Sequence, residues 1–153
     1  RARIANRADD LLIDDAKKIV SWELGRKTVM TDKEYLLWFA RTLGTNIGIM
    51  HRNGWVHRYL SDHNITLDCR LTDFDSVWEC EFEVDRRRDF VQARDSVQLL
   101  CAKLRDREGR FKNQNIYENK NEKNDYFEYS SEVWEYDKSY RAAFPQGGSF
   151  RKF

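Results

Sequence analysis

Proline and glycine are scarce in this chain of 153 residues, which has 1 Pro and 7 Gly. The shortage excludes collagen-like and Pro/Gly-rich low-complexity chains. Cysteine is also sparse. Cys69, Cys80 and Cys101 are odd in number and share no C-x-x-C spacing, which points to reduced thiols packed as small apolar side chains in an intracellular protein. Long hydrophobic runs are missing: the longest, Tyr35 to Ala40, falls well short of the ~18 residues of a membrane span. No signal-peptide core opens the chain, so the expected location is cytoplasmic, with no membrane partner. Charge of one sign is lacking too. With 27 Lys+Arg against 26 Asp+Glu, the net charge is +1, and no global field draws the chain to nucleic acid. The first residue is Arg1 rather than Met, and the expectation is a fragment of a longer protein.

What is present suits a folded unit. Apolar residues make up 41%, aromatics 14% and charged residues 35%, which excludes a disordered tail and predicts one globular domain over 1–153. Leu12, Ala16, Ile19 and Val20 recur at helical spacing within 9–24, and Gly25 ends that helix. Thr31-Asp32-Lys33-Glu34 is a capping box. It opens a helix carrying Leu36, Phe39, Leu43, Ile47 and Met50, which stops at Asn53-Gly54. The period then changes. Runs 64–67 and 70–74, joined by Asp68-Cys69, predict a small hairpin. The alternation from Glu79 to Val84 predicts a half-buried strand or extended loop, and 89–104 returns to helical spacing. The polar stretch at about 105–130 predicts a mobile surface loop. A last helix, about 131–144, starts from Ser130-Ser131 and ends at Pro145. The predicted class is α+β, mainly helical.

The chemistry concentrates in Trp55-Val56-His57-Arg58-Tyr59-Leu60-Ser61-Asp62-His63-Asn64-Ile65-Thr66-Leu67 and Leu71-Thr72-Asp73-Phe74-Asp75. Magnesium bridging nucleotide phosphates takes hard oxygen ligands. An amide from Asn64 and a carboxylate from Asp73, at the ends of two short strands, would supply such a pair.

At these residues the sequence resembles the C-terminal lobe of the protein-kinase-like superfamily, which includes aminoglycoside phosphotransferases and lipopolysaccharide-type kinases. His57, Arg58, Leu60 and Asn64 fall on its H-R-D-L-x-x-x-N catalytic loop, and Asp73-Phe74-Asp75 falls on its D-F-G triplet. The resemblance covers roughly 31–104, the motif core. It implies Mg²⁺ and ATP as cofactors, Asn64 and Asp73 as metal ligands assisted by Asp75, and His57, Arg58 and Asp95 as residues that hold the loop. The hairpin would then lie at the catalytic loop.

The chain departs from this pattern in several places. Tyr59 stands where the family has its catalytic aspartate, and a phenol is a poor base at neutral pH. Asp62 is a candidate substitute three residues on. No Gly-rich phosphate loop or V-A-I-K strand precedes residue 31, so the N-terminal lobe is absent from this chain and either lies upstream in a longer protein or does not exist; the expected partner is that lobe or a partner protein. No A-P-E follows, and only about 20 residues separate Asp73 from Asp95, which favours a small-molecule or atypical substrate over a peptide. Two functions therefore stand: an atypical ATP-dependent phosphotransferase, and a catalytically inactive pseudokinase serving as an interaction module. Bland readings accompany each residue. His57 could simply brace the loop, Asn64 and Asp73 could be turn residues satisfying local amides, and Arg86-Arg87-Arg88 could be a solvated face offset by the preceding acids.

Overall fold

The computed structural model describes residues 3–4, 10–107 and 130–147. It is mainly helical, with four α-helices and a two-stranded antiparallel sheet among the described residues. Helix α1 spans Asp10–Glu23 and buries Ile13, Ala16 and Val20, while Ile19 faces solvent. Its end is sealed by the Ser21 hydroxyl, which accepts from Met30 N–H at 2.9 Å and donates to Lys17 O at 2.6 Å. Lys17 pairs with Asp32 at 2.6 Å, tying α1 to the start of the next helix.

Helix α2, Asp32–Arg52, begins at the predicted capping box, with Thr31 and Glu34 each satisfying the other's amide. Arg26 and the Thr31 amide hold the Glu34 carboxyl well below its ordinary value, at about 2. Tyr35, Leu36, Phe39, Leu43 and Ile47 form the buried face. Burying each such side chain stabilises the fold by about 1.5–3 kcal/mol. Gly44 and Gly48 of α2 set its distance to the last helix, α4 (Ser131–Ala143). A Cβ on Gly44 would lie 2.3 Å from Tyr136 O, and one on Gly48 2.7 Å from Ala143 Cβ. Only hydrogen at these positions lets the two backbones come so close.

Helix α3 runs from Glu83 to Arg107, starting six residues before the predicted Asp89. Its first turns carry no buried apolar side chain, so apolar periodicity could not reveal them. They are supported instead by Glu83 and Asp85 at the positive end of the helix and by the pairs Arg86–Glu83 and Arg88–Asp85. This takes the last two residues, 83–84, of the predicted 79–84 strand or extended loop, and Cys80 to Phe82 form no regular element. Phe82 and Val84 are exposed, and only Trp78–Glu79 (β2) is a strand, paired with Trp55–Val56 (β1) in the register Trp55 to Glu79 and Val56 to Trp78. The Arg86-Arg87-Arg88 run is a charged face, with Arg86 also stacked 5.2 Å from the Phe144 ring centroid.

The 64–74 hairpin is reduced to one bridge, Ile65 to Leu71, so the two-stranded sheet is not the predicted hairpin but the segments flanking it. The hairpin's turn is closed by both backbone and side chain: Thr66 N–H donates to Arg70 O at 2.9 Å, and the Thr66 hydroxyl accepts from Arg70 N–H at 3.0 Å and bonds Asp68. Arg3 bridges Thr66 from the other side. The predicted loop at about 105–130 lies largely outside the described residues. All three cysteines are free thiols, with Cys69 and Cys101 buried. Among the described residues, no helix is long and apolar enough to cross a membrane.

Candidate functional site

The segment from His57 to Asn64 leaves β1 and crosses α3, which holds it by its amides. Asp89, fully buried, accepts from His57 N–H and Arg58 N–H at 2.7 Å each. One helical turn on, Gln92 Oε1 accepts from Leu60 N–H at 3.0 Å. A third donor reaches Asp89 from the end of α2, where His51 Nε2 lies 3.0 Å from Oδ2. A buried carboxylate is stable only when it is well supplied with donors, and these three groups engage both of its oxygens.

Asp95 does not anchor the loop. It is exposed and pairs with Arg94 at 3.4 Å. At 100° per residue it is turned about 120° from Asp89 around α3, away from the loop.

His57 is a brace. Its ring is buried, Nε2 meets Thr72 O at 2.8 Å, and Nδ1 accepts from Tyr59 N–H at 3.2 Å. Both ring nitrogens are therefore occupied within the protein, which leaves neither for a substrate. Arg58 adopts φ 79°. Its Nε donates to Ser76 O at 2.7 Å, and Ser76 Oγ returns a bond to His57 O at 2.7 Å. This reciprocal pair clips the loop to the 3₁₀ turn Phe74–Ser76.

Asn64 pairs with Thr72, the residue before Asp73: Asn64 O accepts from Thr72 N–H at 2.9 Å. The Asn64 side-chain NH₂ donates to Tyr59 O at 2.8 Å, so the amide oxygen is directed away from that bond. Asp73 sits at φ 60°, ψ 67° before the 3₁₀ turn and makes no capping bond to it. Its carboxylate and that of Asp75 are exposed. Left-handed backbone at a non-glycine residue costs about 1 kcal/mol or more, and here two such residues, Arg58 and Asp73, flank one loop.

Tyr59 is 61% exposed, and the inward bonds it makes are those of its backbone, N–H donating to the His57 ring and C=O accepting from the Asn64 side chain. Asp62 is at the corner of the turn closed by Asn64 N–H to Ser61 O at 2.9 Å, with His63 N–H on Ser61 Oγ. That corner lies beyond the stretch clamped by Asp89 and Gln92, so Asp62 does not take the position of Tyr59. Among the described residues, no cluster of three or more His, Cys, Asp or Glu could hold a metal by itself. The oxygens on offer are those of Asn64, Asp73 and Asp75, a set that suits a hard cation completing its shell with water and phosphate oxygens.

Comparison with known proteins leaves the geometry to speak alone: no family model, curated protein or solved structure matches the chain.

Asp89, Gln92, His51 and Ser76 are the residues that sequence reasoning missed. A signal for Asp89 was present. Asp89, Ala93, Ser96 and Val97 recur at helical spacing on the buried face of α3, and an acid on an otherwise buried face has partners to hold.

Proposed function

We propose that this chain is the C-terminal-lobe part of a kinase-like phosphotransferase fold, and that it holds a magnesium–nucleotide phosphate group through Asn64 and Asp73, with Asp75 beside them. The observation that carries the reading is the division of labour at Asn64. Its NH₂ donates to Tyr59 O and its backbone O accepts from Thr72 N–H, which turns the amide oxygen away from Tyr59 on the residue whose pairing partner, Thr72, precedes the exposed, left-handed Asp73. Strain of this kind collects at ligand sites because the surrounding bonds can hold it there. In this reading His57, Arg58, Asp89 and Gln92 hold the loop rigid, and Asn64 and Asp73 present oxygen ligands. When bound, Mg²⁺ would neutralise the charge on the phosphates.

The test is a thermal-shift titration with Mg-ATP. Wild type should be stabilised, and Asp73→Ala should lose the shift while keeping its own melting temperature. No shift in wild type with Mg²⁺ and ATP together rejects the nucleotide reading.

A second reading, a catalytically silent interaction module, is favoured by Tyr59. A phenol in the place of the base cannot accept a substrate proton efficiently at neutral pH. Tyr59, Phe74 and Trp78 are all exposed around the loop, which suits a surface that another protein covers. ATP turnover by wild type beside Tyr59→Asp separates the two: turnover in wild type rejects silence, and turnover only in Tyr59→Asp makes the tyrosine its cause.

A further inference from the structure

The loop's anchor does not end at Asp89. His51 closes α2 with its ring fully buried, Nε2 on Asp89 and Nδ1 2.6 Å from the Tyr140 hydroxyl of α4. Both Asp89 oxygens accept backbone N–H groups, so the arrangement that keeps Asp89 an acceptor throughout puts the His51 ring proton on Nε2. The Nδ1 lone pair then takes the Tyr140 O–H, a phenol that burial holds well above its ordinary pKa and so keeps protonated. The result is a one-way chain of donors, Tyr140 O–H to His51, His51 N–H to Asp89, with Asp89 in turn receiving the amides of His57 and Arg58. Each member sits on a different element, α4, α2, α3 and the loop.

The ring of Tyr140 is itself fixed. It packs edge-on against Phe90 at 4.9 Å and against His51 at 5.5 Å. Gly48 of α2 makes the reach across helices feasible, since a Cβ there would meet Tyr140 O at 2.8 Å. Removing the phenol oxygen would free the His51 ring to exchange tautomers or turn. Asp89 would then lose an oriented donor, and its grip on the two loop amides would slacken.

We propose that Tyr140 is a remote positioning residue: through His51 it orients Asp89, and through Asp89 it sets the loop that carries Tyr59 and Asn64. The consequence for ligand binding rests on the nucleotide reading above; the relay itself does not. Cooperative hydrogen-bond chains of this kind are worth more than their separate pairs, because each bond polarises the next.

The experiment uses the whole chain labelled with ¹⁵N, as wild type, Tyr140→Phe and Tyr136→Phe. Tyr136 donates from the same helix to Phe90 O at 2.7 Å rather than to a member of the relay, so its variant loses a comparable buried bond without breaking the chain of donors. Tyr140→Phe should accelerate amide exchange at His57 and Arg58 by about tenfold, the effect of one lost hydrogen bond, and should change the His51 ring nitrogen signals. Tyr136→Phe should leave both alone. Unchanged exchange at His57 and Arg58 in Tyr140→Phe, or equal acceleration in the two variants, overturns the proposal. If Tyr140→Phe does not fold, the wild-type ring spectrum decides: a protonated Nε2 with bare Nδ1 supports the relay, and a protonated Nδ1 overturns it. A Mg-ATP titration of the same samples reads the nucleotide reading separately. Weaker binding in Tyr140→Phe extends the relay to the ligand, and no binding in wild type rejects that reading while the exchange result stands.

Discussion

The inward and outward sides of one short loop differ sharply. On the inward side, the amides of His57, Arg58 and Leu60 are all taken by α3, and the His57 ring spends both nitrogens on the protein. On the outward side, Tyr59, Asp73 and Asp75 are exposed, and Asp73 holds a left-handed backbone with no capping bond of its own. The difference separates scaffold from chemistry. Buried polar groups must be satisfied or they destabilise the fold, whereas exposed ones are left to water or to a ligand. Substitutions on the two sides should therefore fail in different ways, by unfolding on the inner side and by loss of binding on the outer.

The largest effect is expected at the anchor. Asp89→Ala strands three buried donors and should cost about 3–5 kcal/mol, read as a large drop in urea midpoint or as failure to fold. An Asp89→Ala protein as stable as wild type would erase the contrast between the two sides. Gly44→Ala should follow, at about 2–3 kcal/mol, because its Cβ would press on the Tyr136 carbonyl, which the backbone of α4 cannot easily move. For a chain of this length that is a fall in melting temperature of roughly 5–10 °C. On the outer side, Asp73→Ala should change stability by no more than about 0.5 kcal/mol, so any loss of Mg-ATP stabilisation can be assigned to binding. The smallest effect concerns Glu34, remote from the loop. Its carboxyl is depressed from 4.5 to about 2 by Arg26 and the Thr31 amide. Its contribution is therefore complete above about pH 5 and is lost as pH falls through the folded value. A pH series of wild type against Glu34→Gln should converge near pH 2 and separate modestly above pH 5.

Much of the helical frame was legible in the chain. The Thr31–Glu34 box and the Asn53-Gly54 stop mark α2 because capping acts through residues adjacent in sequence. The entry at Ser130 marks α4 for the same reason. The start of α3 was hidden, since its first turns are held by ion pairs rather than by an apolar stripe. The sheet was misplaced because strand partners here are more than 20 residues apart, Trp55 with Glu79, and nothing local in either two-residue strand specifies the other. At the candidate site, the pairing of Asn64 with Thr72, one residue before Asp73, followed from the short hairpin that the spacing predicts. The acid that holds the loop did not. Asp89 and Asp95 lie on the same helix, and only the rotation of α3 against the loop selects between them.

The chain by itself determined where α1, α2 and α4 begin and end, through interactions a few residues long, and that charge would be balanced. Tertiary packing decided which acid is buried and which is exposed, how closely α4 approaches α2 over Gly44 and Gly48, and that Tyr140 and His51, 89 residues apart, share a hydrogen bond. Those outcomes depend on the relative rotation and approach of packed helices, which is set by the sum of many weak contacts rather than by any local pattern.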